Sequence, residues 1–113
     1  KAWCLFDQTA PEIDDSFNSS SLTDTAKGKG SVNFTNNMGA ALTYSCAFGA
    51  VNGNDNDPYC SALTANRAYV SQTTSAFPFR SGYSGHSEGS GNNPYADFFD
   101  PNGAFIVAHG DMA

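Results

Sequence analysis

The sequence predicts an all-β or β-dominated α+β domain: a small antiparallel sheet or sandwich with long polar loops, at most one short helix, and a disulfide staple. Three observations lead there. Nine Phe, five Tyr and one Trp dominate the apolar inventory, and such residues suit a pleated, half-buried surface better than a helix face. Gly, Ser, Asn and Thr fill the intervals between apolar runs, where they favour turns over helix interiors. Finally, three cysteines stand in 113 residues. That length makes one domain, residues 1–113, with a core small enough for a disulfide to matter.

Along the chain, residues 2–6 (Ala-Trp-Cys-Leu-Phe) form a short apolar run that reads as a first strand. Residues 7–31 turn polar, with only Ile13, Phe17 and Leu22 interrupting, and read as a long surface loop. Residues 32–35 read as a strand and 36–39 as a turn. In the next segment Leu42, Tyr44, Cys46 and Phe48 alternate with Ala41, Thr43, Ser45 and Ala47. A bulky face and a small face at period two are the pattern of a half-buried strand.

Residues 52–58 (Asn-Gly-Asn-Asp-Asn-Asp-Pro) are a loop. Residues 61–70 carry the helix candidate, since Ser61 can cap and Leu63, Arg67 and Val70 fall at helical spacing; Tyr69 and Val70 equally suit a strand. Residues 76–79 read as an edge strand, because Pro78 cannot donate to a ladder. Residues 81–94 read as loop. The chain closes on an expected hairpin, 96–99 and 104–108, turned by Asp100-Pro101-Asn102-Gly103.

Charge excludes some partners. Five Lys and Arg stand against eleven Asp and Glu, for a formal net charge of −6. Nucleic-acid binding needs clustered cations to displace counterions, and none cluster here. An anionic membrane surface repels such a chain, and no apolar run approaches the ~20 residues of a membrane-spanning helix. Scarce Lys and Glu against abundant Ser, Thr, Asn and Gly point to a secreted or cell-surface protein. Two N-x-[ST] triplets, at Asn18 and Asn33, are glycosylation candidates that agree with that location. No basic-then-apolar leader opens the chain, so a mature form is expected.

Three cysteines cannot all pair within one chain. Cys46 and Cys60 flank a bendable loop, and their disulfide is the expected pair, worth ~3 kcal/mol in the chain-entropy model; Cys4 with Cys46 is the alternative. The pairing Cys46–Cys60 leaves Cys4, either as a link to another chain or as a buried free thiol. Zinc is not expected, with no C-x-x-C and no histidine at finger spacing. No cofactor is expected either, calcium being the one the oxygen-rich loops allow: Asp55 and Asp57 in one, Asp97 and Asp100 in the other. Such loops are more often plain turns whose side chains bond their own backbone.

For acid–base chemistry the candidates are His86, Glu88, His109 and Asp111. No nucleophile motif accompanies them, so solvated histidines at loop ends are the plainer reading. Tyr59, Tyr83 and Tyr95, beside Gly, Pro or Asn, could stack on a sugar or lid a small core. The stretch from Asn93-Pro94-Tyr95-Ala96-Asp97 through Asn102-Gly103-Ala104-Phe105-Ile106-Val107-Ala108-His109-Gly110 resembles the C-terminal hairpin of T1-type fungal ribonucleases. The resemblance implies a catalytic histidine at His109. It also implies an arginine where Phe98 stands and a glutamate that has no counterpart. It therefore implies a secreted effector's scaffold without its chemistry.

The expected function is a non-enzymatic extracellular structural or interaction module, a subunit of a surface or filamentous assembly or a secreted recognition domain. Its partners would be other protein chains, copies of itself included, with neither nucleic acid nor membrane insertion. A small secreted hydrolase and a carbohydrate-binding module are the alternatives.

Overall fold

A computed structural model describes residues 1–41, 44–51, 60–65, 72–86 and 94–113. Among these residues nine strands run β1 (Ala2–Asp7), β2 (Glu12–Phe17), β3 (Ser19–Ala26), β4 (Lys29–Phe34), β5 (Ser45–Val51), β6 (Cys60–Ala65), β7 (Ala76–His86), β8 (Pro94–Phe98) and β9 (Gly103–His109). They form two antiparallel sheets. One has the order β2-β1-β9-β5; the other has the order β3-β4-β7-β6, with β8 also paired to β7. No helix occurs among the described residues.

The core lies between the sheets. Ala2, Cys4 and Phe6 of β1 and Ala104, Ile106 and Ala108 of β9 face Val32 and Phe34 of β4 and Phe77 and Phe79 of β7. The Phe6 and Phe79 rings meet across the gap at 5.0 Å, and Phe48 meets Phe77 at 6.1 Å. Each fully buried phenylalanine contributes about 2–3 kcal/mol, so rings carry this core. Tyr44 closes one end. Its hydroxyl lies 2.9 Å from the Thr73 carbonyl and 3.0 Å from that of Ala76.

The opposite end is closed by polar groups. Gln8 and Ser81 are fully buried. The Gln8 amide donates to Asp24 and to the Lys29 carbonyl, while its oxygen accepts from the Ser81 hydroxyl. The Gln8 backbone N–H bonds the Pro101 carbonyl at 2.9 Å. Asp100 accepts from the Gly28 N–H at 2.5 Å. Every one of these buried groups thus has a partner, as burial requires.

Several expectations are corrected. Residues 7–31 are not a loop but hold β2, β3 and the start of β4. β2 and β3 expose most of their side chains, so neither shows an apolar face in sequence; ladder bonds to β1 and β4 hold them. Asn18 turns the chain between them at a φ of 57°, a conformation asparagine tolerates better than most residues. Residues 61–65, read first as helix, pair with β7 as strand β6; residues 66–70 lie outside the described residues. Residues 81–86, expected as loop, continue β7.

The strand that holds Pro78 is paired on both sides, so it is not an edge strand, although Pro78 itself pairs only with Ser31 of β4. The register explains this. Phe34 N–H bonds Ser75, and Ser81 N–H bonds Gly28, so by alternation Ser31↔Pro78 is a non-bonded pair of that ladder. The missing N–H therefore points away from β4, one residue past the last β6 pair, Ala65↔Phe79. No rung of the β4–β7 ladder is lost. The closing hairpin is also not made: β8 pairs with β7 in one sheet and β9 with β1 and β5 in the other. Residues 99–102 instead carry the chain between sheets, tied to Gln8 and Gly28.

The disulfide staple is not supported. Cys4 and Cys46 are free thiols, so the Cys46–Cys60 bridge is absent. The Cys4–Cys46 alternative is excluded by register. Cys4 pairs with Ile106 and Cys46 with Ala108, on opposite sides of β9. Two strand spacings are about 9–10 Å, beyond the 7 Å that a disulfide spans.

Candidate functional site

Pleating sends alternate residues of β1 and β9 to opposite faces. The even-numbered residues of both strands enter the core, and the odd-numbered ones face out. On most two-layer folds those outward positions are polar. Here they are Trp3, Leu5, Phe105 and Val107. Trp3 is 37% exposed, Leu5 43%, Phe105 48%, and Phe17 of neighbouring β2 52%.

Register sets these side chains in two rows. One row runs Phe17–Trp3–Val107–Ala47, and the next runs Asp15–Leu5–Phe105–Gly49. The Phe105 ring lies over Gly49, where a Cβ would meet ring carbon Cε1 at 2.7 Å. A side chain at position 49 would push the ring away, so glycine lets it lie against the β5 backbone. The result is an apolar surface across four strands, with Asp15 at its β2 edge. At one end stand Lys1 and His109. At the other stand Asp7 and Glu12, paired across β1 and β2. Thr9, by its hydroxyl and N–H, and the Ala10 N–H all bond the Asp7 carboxylate and hold its pKa below the ordinary value.

The residues singled out in sequence lie elsewhere or apart. Cys4 points into the core at 1% exposure. Burial, with Asp14 adding to it, pushes its thiol up to about 11, and burial pushes Cys46 up to about 12. Both are protonated and poor nucleophiles at neutral pH.

At Asn18 the side-chain amide donates to the Asn36 carbonyl and its oxygen accepts from the Asn36 N–H. Asn33 donates to Ser21 and Thr23. A glycan on either nitrogen would replace those bonds. Asp100 is spent on the Gly28 N–H. Asp55, Asp57, Tyr59 and Glu88 lie outside the described residues, as do the side chains of Asp97, Tyr83, Tyr95 and Cys60. Among the described residues no group of His, Cys, Asp and Glu could hold a metal ion.

The two histidines are far apart. His109 is exposed at the end of β9 beside Gly110, which packs on Tyr44, whose hydroxyl reaches Ala76 at the start of β7. His86 ends the same strand ten residues on, about 30 Å away along an extended chain. Among the described residues no helix is long and apolar enough to cross a membrane.

Comparison with known proteins returns no matching family model, no matching curated protein and no matching solved structure. The site is therefore read from its own geometry. Trp3, Leu5, Phe17 and Phe105 were not singled out in the sequence. The signal was present: residues 2–6 and 104–108 are apolar at both odd and even positions, as in a strand covered on two faces.

Proposed function

We propose that this chain is a non-catalytic extracellular interaction module that docks the outer face of the β2-β1-β9-β5 sheet onto another protein surface. The observation that carries the reading is the row register of Trp3, Leu5, Phe17 and Phe105, all more than a third exposed and adjacent on one sheet face. Scattered exposed hydrophobics are ordinary, but a contiguous apolar patch on a folded domain marks an interaction surface. Aromatic residues free of charge at the patch centre are also the composition of an interface core. The composition and the Asn18 and Asn33 triplets support an extracellular location.

Trp3 is the one tryptophan of the chain and sits in this patch, so its fluorescence reports occupancy. At low micromolar concentration the neutral dye Nile red is expected to bind native protein and alter Trp3 emission. The Leu5→Lys/Phe105→Lys variant, changed only at exposed positions, is expected to lose that binding at an unchanged melting temperature. Absence of dye uptake by native protein would remove the docking face. RNA or glycoside hydrolysis abolished by His109→Ala would replace the reading with an enzymatic one.

A further inference from the structure

We infer that the partner of this face is a second copy of the same chain, stacked sheet on sheet about a two-fold axis; the inference rests on the docking reading above. The axis lies in the plane between the sheets, along the rung Ser16, Cys4, Ile106 and Phe48, which the register places side by side on the four strands. Rotation about that line returns each strand over its own copy with direction reversed. Residue 3 of β1 then faces residue 5, and residue 107 of β9 faces 105.

The side chains match under this operation. Trp3 meets the partner's Leu5, Val107 meets the partner's Phe105, and Ala47 meets the partner's Gly49, while at the β2 edge Phe17 meets the partner's Asp15. Each larger group is set over a smaller one, as interdigitating layers require. Charge matches as well. Lys1, at the His109 end, falls over the partner's Asp7 and the partner's Glu12 at the acidic end. A face whose two ends carry opposite charge is self-complementary only in this reversed arrangement, and an isologous interface demands self-complementarity. Two sheets of like twist pack this way at about −30° and about 10 Å apart.

The size of the face sets the strength. Four strands by about five residues cover roughly 300–400 Å² per copy in projection, below the ~800 Å² per partner of a standard stable interface. A chain at −6 also repels its copy. The dimer is therefore weak and reversible, with a Kd of order 10⁻⁴ M.

Sedimentation velocity from 10 µM to 1 mM, at physiological salt, tests this. Native protein is expected to pass from monomer to dimer across that range, and Leu5→Lys/Phe105→Lys to stay monomeric, a loss of more than about 100-fold in affinity. Lys1→Glu and Glu12→Lys are each expected to weaken association about 3- to 10-fold, and the two combined to restore it. Native protein that stays monomeric at 1 mM while still binding Nile red would overturn the second copy and leave the docking face standing. A Trp3 emission shift on adding soluble polysaccharide to such a monomer would assign the face to carbohydrate instead. A dimer unaffected by Leu5→Lys/Phe105→Lys, or a charge swap that fails to restore it, would equally overturn the proposal.

Discussion

Two protonated thiols and a phenol stand inside a core of rings, and their burial gives the protein a particular response to alkali. Cys4 is raised to about 11 and Cys46 to about 12 from the usual 9.0, both chiefly because burial disfavours the thiolate. Tyr44 is shifted upward for the same reason. In the unfolded chain these groups ionise near their ordinary values. Above pH 9 the unfolded state therefore holds fewer protons than the native state, and stability falls as pH rises. The urea midpoint is expected to be level from pH 7 to 8 and to decline between about 9 and 12. Cys4→Ala and Cys46→Ala should each flatten part of that decline, once their own loss of packing is measured at pH 7. A midpoint that holds level to pH 11 would place the thiols in water.

At the scale of elements, turns and bulges decide how polar strands find their places. Gly28 makes the β3–β4 turn at a φ of 64°. Its missing Cβ would run into the Ser81 carbonyl and approach Phe98 Cβ at 2.9 Å. Its N–H donates to the Asp100 carboxylate, and its carbonyl accepts from the Ser81 N–H. One residue thereby ties the β3–β4 hairpin to β7 and to the crossover between sheets. Gly28→Ala is expected to cost about 2–4 kcal/mol in urea unfolding, from backbone strain and lost packing together. At exposed Gly39 the nearest atom to a Cβ is the Asp111 carbonyl oxygen at 3.3 Å, and Gly39→Ala should cost under ~1 kcal/mol. Equal effects at the two positions would remove the special role of Gly28.

Across the whole molecule, stability comes from two sheets closing on aromatic side chains, not from a covalent staple. With Cys4 and Cys46 free, reductant has nothing to break between them. Dithiothreitol is expected to leave the melting temperature unchanged, and the buried Cys4 thiol to alkylate only after unfolding. Loss of a disulfide worth ~2–4 kcal/mol would lower the melting temperature by roughly 10 °C or more in a chain this size. A drop of that kind would restore a bridge to the fold.

How much of this was legible in the sequence depended on whether a residue's environment is local. The β class follows from Phe, Tyr and β-branched residues set among turn formers, because pleat and turn preferences act over a few residues. β1, β9 and the inward Cys46 and Phe48 of β5 were readable for that reason, although the strand begins only at Ser45, after Tyr44. β2 and β3 were not, since a solvated strand held by neighbouring ladders leaves no apolar period. The partners of β8 and β9 were equally hidden. A turn-like sequence at 100–103 serves a crossover as readily as a hairpin, and only the bonds to Gln8 and Gly28 separate the two.

The candidate site shows the same division. Sequence alone determined that residues 2–6 and 104–108 are apolar on both faces. Only the tertiary structure decided that the second sheet covers one of those faces and leaves Trp3, Leu5, Phe17 and Phe105 on the other. Which face is buried depends on contacts of β1 and β9 with β4 and β7, segments distant in sequence, and no local pattern encodes that.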